Sequence, residues 1–203
     1  NVTISGNHSY VYDGIFIYSG AAVTMTNVTI TNNSSTGIGF EGASLTLINS
    51  IISGHSSNDC DGSGVTSLGY NLVGKFTSCY EKATGDLMGS SYAPLDARLG
   101  PLENNGGSTE THALLEGSLA IHGGNDSMAP STDQRGVARP QGSASDIGAF
   151  ERVLPAPGVA ATTTPIVANA PIELTPTTST GRVDGSFSLD IWTNATTTQA
   201  ITG

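Results

Sequence analysis

Asn1-Val2-Thr3-Ile4-Ser5-Gly6-Asn7 and Asn27-Val28-Thr29-Ile30-Thr31-Asn32-Asn33 are two copies of one heptapeptide. Asn49-Ser50-Ile51-Ile52-Ser53-Gly54-His55 is a third, weaker copy. The copies start at positions 1, 27 and 49, so 26 and then 22 residues separate them. The second and third copies each follow another alternating run, Val23-Thr24-Met25-Thr26 and Leu45-Thr46-Leu47-Ile48. Between copies lie Gly14-Ile15-Phe16-Ile17 and Gly37-Ile38-Gly39-Phe40. Each period therefore holds three short runs of β character, separated by Gly, Asn and Ser. A repeat of that length with three strands is one rung of a solenoid, whose rungs pair in parallel at about 4.8 Å around a dry interior. The expected fold is all-β, a right-handed parallel β-helix with three strands per rung and an extended Pro/Thr-rich C-terminal tail.

In this reading Val2, Ile4, Val23, Met25, Val28, Ile30, Leu45, Leu47 and Ile52 point inward and the intervening Thr and Ser face water. Asn1, Asn27 and Asn49 share one corner, where stacked amides would bond up and down the solenoid as an Asn ladder. Sequons fall at Asn1, Asn7, Asn27, Asn32, Asn33, Asn125 and Asn194. Asn27 is assigned to the ladder, leaving Asn32, Asn33 and Asn194 as the candidates for exposed glycosylation.

Composition narrows the function. Of 203 residues, 26 are Gly and only 12% are charged, which suits short strands and tight turns. The net charge of −10, with seven Lys and Arg, offers no basic face for nucleic acid or anionic lipid. No apolar run is long enough to span a membrane. Asn1 reads as a mature or trimmed end that starts inside a repeat without a cap, so the first rung would need a partner, the alternative being that upstream rungs have been removed. Cys60 and Cys79 enclose a Gly/Ser-rich loop and read as a disulfide, the alternative being two separate buried thiols. The four histidines lack ligand spacing, and Asn58-Asp59-Cys60-Asp61-Gly62 is a polar turn with too few ligands for calcium. No metal or cofactor is expected.

After residue 57 the repeat fades into Val65-Thr66-Ser67-Leu68-Gly69-Tyr70-Asn71-Leu72 and then a block of motifs. These are Leu99-Gly100-Pro101-Leu102 through Asn105-Gly106-Gly107 to Thr111-His112-Ala113-Leu114-Leu115, then Thr132-Asp133-Gln134-Arg135-Gly136 with Arg139-Pro140, then Asp146-Ile147-Gly148-Ala149-Phe150-Glu151. Taken in order they resemble the end of bacterial choice-of-anchor Q β-helix proteins, grouped loosely with polymorphic outer-membrane protein repeats. The resemblance covers roughly residues 1 to 151. It implies a right-handed parallel β-helix, export, and attachment to a cell surface through a variable C-terminal anchor, with no established catalytic residues. The family's usual GSPAIDAG stands here as Gly117-Ser118-Leu119-Ala120-Ile121-His122-Gly123-Gly124, with Leu119 for Pro and His122 for Asp.

Asp133, Arg135, Arg139, Asp146 and Glu151 are the densest charge cluster. Paired carboxylates can serve acid–base chemistry on a sugar. The reading preferred is structural: Asp133 and Asp146 pair with Arg135 and Arg139 and pin the closing turns. The chain divides into a β-helix over 1–152, a Pro/Thr/Ala-rich linker over 153–181 and a strand segment over 182–203. In the last, Phe187, Leu189 and Ile191 alternate on one face beside Trp192, a strand suited to self-assembly. Together these features lead to an extracellular, non-enzymatic structural or adhesive surface protein. It would be a filament subunit that stacks its β-helices head to tail and adds its C-terminal strand to a second copy. The expected partners are further copies of the chain and surface glycans, and the alternative is a β-helix that binds or cleaves polysaccharide.

Overall fold

The computed structural model describes residues 1–9, 12–77 and 79–153. The linker beyond Val153 and the strand segment, with Phe187, Leu189, Ile191, Trp192 and Asn194, lie outside the described residues. The described part is an all-β parallel solenoid. Its first rung comprises β1 (Val2–Ser5), β2 (Tyr12–Ile17) and β3 (Ala22–Thr26). The second comprises β4 (Val28–Thr31), β5 (Thr36–Phe40) and β6 (Ser44–Ile48), and the third β7 (Ile51–Ser53), β8 (Cys60–Asp61) and β9 (Val65–Ser67). Equivalent strands pair in parallel to form three sheets, β1-β4-β7, β2-β5-β8 and β3-β6-β9. The first continues through β10 (Leu72–Val73) and β11 (Leu87–Met88).

The pairing joins the heptapeptides residue to residue: Val2 to Val28, Ile4 to Ile30, and Ile30 to Ile52. Ile4, Ile30, Ile52, Val73 and Met88 thus form one inward column across the first sheet. Leu45, Leu47, Ile38 and Cys60 meet it from the other two sheets in a single interior cluster. Burying each Ile or Leu contributes about 1.5–3 kcal/mol.

The corners explain the Asn and Gly between runs. Asn27 (φ 52°), Asn49 (φ 49°) and Tyr70 (φ 58°) occupy equivalent turns in the left-handed region, which Asn tolerates better than most residues. Asn32 (φ 53°) and Gly54 (φ 81°) do the same at the next corner.

Val2 keeps the inward register of buried Val28, but on the terminal strand of its sheet it is 49% exposed. One expectation about the faces needs correction. Thr29, Thr31 and Ser53 were placed in water, yet all are buried. The outward column of the first sheet runs Thr3, Thr29, Ile51, Leu72, Leu87, turning from polar to apolar at the third rung. A second core forms there: Ile51 and Leu72 pack with Ala97, Leu114, Ala120, Ile147 and Phe150 from the closing block. That block holds an antiparallel pair, β12 (Leu99–Glu103) with β13 (Thr111–Leu114), and one 3-10 turn at Asp126–Met128. The Thr and Ser expectation holds on the third sheet, where Thr24 and Thr66 are exposed.

The far end of the solenoid is filled. Cys60 and Cys79 form a disulfide, and Phe76, Cys79 and Tyr80 join the interior cluster. Thr77 Oγ1 donates to Cys60 O (2.8 Å) and Asp59 N to Lys75 O (3.3 Å), so residues 75–77 cover the outer edge of β8.

Ile51→Ala tests the second core. If Ile51 and Ile52 are buried on opposite faces, each alanine substitution lowers unfolding free energy by about 2–5 kcal/mol in denaturant titrations. An Ile51 facing water would cost less than about 0.5 kcal/mol.

Candidate functional site

The charge cluster is assembled by the closing block against the Asn1 corner. Asp133 Oδ1 accepts from Arg135 N (2.7 Å) and Val137 N (3.0 Å), an Asp-initiated turn, while its Oδ2 accepts from Glu151 N (2.9 Å). Arg135 donates two guanidinium bonds to the same Oδ2 (2.9 and 2.8 Å) and lies 3.6 Å over the Phe150 ring. Arg139 makes its ion pair with Glu151 (2.6 Å). It reaches only the backbone oxygen of Asp146 (3.0 Å), so the pairing expected between Arg139 and Asp146 side chains is replaced by one with Glu151. The Asp146 carboxylate instead accepts from His122 N (2.8 Å) and Arg152 N (2.6 Å).

Burial pushes the Asp146 and Glu151 carboxyls above their ordinary range and pulls the Arg139 guanidinium below its own. Desolvation is the leading cause in each case, and it outweighs the opposing attraction between Arg139 and the carboxylates around it. Each carboxylate is bonded by backbone N–H groups that close turns.

At the expected ladder, Asn1, Asn27 and Asn49 do share one corner, but their side chains bond the closing block. Asn1 Nδ2 donates to Thr132 O (2.7 Å) and its Oδ1 accepts from Arg139 (3.3 Å). Asn27 Nδ2 donates to Asp146 O and Gly148 O (both 3.2 Å). Asn49 exchanges bonds with the Asn125 backbone (2.8 and 3.0 Å). The side-chain stack stands at the other end of the heptapeptide. Asn7 donates to Asn33 Oδ1 (2.9 Å), Asn33 Nδ2 donates to His55 Nε2 (3.1 Å), and His55 Nδ1 donates to Asp59 (2.6 Å). Asn33 is 2% exposed and committed to this stack, which removes it as a glycosylation candidate; Asn32 is exposed. Asn7, Asn33 and His55 hold one position in the three copies, and that alignment was the signal available for finding the stack.

Sequence reasoning did not find the cavity beside this stack. It encloses about 410 Å³ on the outer side of the first sheet, lined by Thr31, Asn32, Ser53, Lys75, Leu95 and Asp96 among others. Lys75 Nζ is held by His55 O (2.7 Å) and Ser56 O (3.2 Å). The His55 ring is fully buried with both nitrogens engaged, so it is a structural member of the wall. Among the described residues no group of three metal-ligating side chains occurs.

Replacing Arg139 with Leu leaves Glu151 buried without its cation and should cost about 3–5 kcal/mol in unfolding free energy. The pH dependence has a defined sign. Because Asp146 and Glu151 have folded-state pKa values above the ordinary ones, their contribution is complete below the ordinary carboxylate range and is lost as pH rises through the raised values. Calorimetry between neutral pH and about pH 4.5, just above the ordinary carboxylate range, should therefore show these groups raising the melting temperature on acidification, and Glu151→Gln should flatten that slope.

No family model, curated protein or solved structure matches this chain.

Proposed function

We propose that this is an extracellular, non-enzymatic surface protein of structural or adhesive type, of the kind the choice-of-anchor Q resemblance implies. The observation that carries the reading is the engagement of the charge cluster. Asp133, Asp146 and Glu151 are buried and bonded to backbone N–H groups and guanidiniums. A carboxylate serving acid–base chemistry must reach its substrate's proton within hydrogen-bond distance, and these three close turns instead. Extracellular location is favoured by the Cys60–Cys79 disulfide, since such bonds persist in oxidising compartments.

Self-association is part of the proposal. Head-to-tail stacking requires open rung edges at both ends. Here residues 75–77 bond the outer edge of β8 and aromatic side chains fill the interior beneath it. Addition of the alternating 182–203 segment of one copy to a sheet edge of the next propagates in one direction.

Electron microscopy of concentrated protein tests assembly. Filaments are expected, and deletion of residues 182–203 should abolish them. Uniform single particles from the intact chain would overturn the assembly reading. Polysaccharide turnover lost on Asp133→Asn or Asp146→Asn would overturn the non-enzymatic one.

A further inference from the structure

We infer that the cavity beside the Asn7–Asn33–His55 stack is a binding site for a neutral saccharide. This rests on the adhesive reading and supplies its ligand class.

The floor is a column of the first sheet. Ser5, Thr31 and Ser53 are register partners on successive rungs. Ser5 Oγ is taken by His112 Nε2 (2.8 Å). The Thr31 and Ser53 hydroxyls hold no hydrogen bond among the described residues and are not sealed from solvent, although both residues are almost fully buried. The cavity is where they open. Parallel pairing sets them about 4.8 Å apart, a spacing two neighbouring sugar hydroxyls can bridge. Beside them the exposed Asn32 amide is equally unengaged and offers both a donor and an acceptor. Gly54 keeps this corner uncovered: a Cβ there would stand 3.1 Å from Thr31 Oγ1 and 3.3 Å from Asn32 Oδ1.

The opposite wall carries the second observation. Residues 89–95 form a turn held to the solenoid by Gly89 N to Val73 O (2.9 Å) and Leu95 N to Gly74 O (3.0 Å). Ser90 N to Ala93 O (2.9 Å) and Ala93 N to Ser90 Oγ (3.0 Å) close it internally. At its tip Tyr92 is completely exposed, two residues before the cavity-lining Pro94. A hydrogen-bonded turn that lines the cavity with Pro94 and Leu95 and carries an exposed aromatic ring two residues away, opposite free hydroxyls and an amide, suits a pyranose with its hydroxyls turned inward and its apolar face toward the ring. Asp96 adds a carboxylate, and Lys75 is occupied by two carbonyls. With a net charge of −10 over the chain, a polyanionic sugar is disfavoured. A glycan attached to Asn32 would cover this mouth, so the two uses of Asn32 exclude each other.

The test uses the full chain made in a host without N-glycosylation, with cellobiose, diacetylchitobiose and digalacturonate as probes in saturation-transfer NMR. Transfer to at least one neutral disaccharide is expected, with binding weakened about tenfold, or about 1.4 kcal/mol, by Tyr92→Ala and by Ser53→Ala, and unchanged by Thr24→Ala on the third sheet. Absence of transfer to both neutral sugars would overturn the inference, as would transfer unaffected by Tyr92→Ala and Ser53→Ala. Equal binding of digalacturonate would overturn the assignment to neutral sugars. None of these outcomes depends on filament formation, so the site and the assembly reading fail separately.

Discussion

The structure beyond the simple stack depends on one column. In the outward row of the first sheet, Thr3 and Thr29 give way to Ile51 and Leu72. A solenoid sheet ordinarily buries one face. An apolar outward column forces the other face to be covered as well, because leaving large apolar side chains in water forfeits about 25 cal/mol for every Å² that could be buried. The closing block answers that demand with Leu114, Ala120, Ile147 and Phe150. Once it lies there, its own backbone must be satisfied. Asn27, Asn49 and Thr29 then serve as hydrogen-bond partners for it rather than for water or one another.

The charge cluster follows from the same constraint. Turns buried against a sheet carry N–H groups that water cannot reach, and an unpaired one costs about 1–3 kcal/mol. Carboxylates at positions 133, 146 and 151 satisfy several at once, and the two arginines offset the charge this brings inside. Arg139 spends its terminal nitrogens on Asp146 O, Glu151, Asn1 and Gly148 O, and its Nε is left buried without a partner among the described residues.

The solenoid was legible because it is periodic. Strand positions, inward columns and the corner Asn residues all follow from the three heptapeptide copies. Ile51-Ile52 also carried a readable sign, since two adjacent apolar residues in a strand cannot both face the same interior, but strict alternation assigned only Ile52. The Arg139 partner was not readable: Asp146 and Glu151 are both within reach in sequence, and only the fold of the final turn decides between them. The cavity was further from view, because its walls come from residues 31–32, 53–55, 59, 74–75, 94–97 and 99, which no local pattern connects.

Asn1 bonds to Thr132 and Arg139, Asn27 to residues 146 and 148, and Asn49 to Asn125. Stacked repeats commonly behave as a row of neighbours, each able to fray from the end without the rest. Here one block grips all three rungs, so loosening the outermost rung also breaks bonds that hold the block over the innermost. The stack thereby loses its independence of parts and should open as one cooperative unit, with amide exchange in β1 approaching that of the central strands. Folding carries the converse penalty: contacts across some 130 residues must form before the ends are secured, which places the molecule among slow, topology-limited folders.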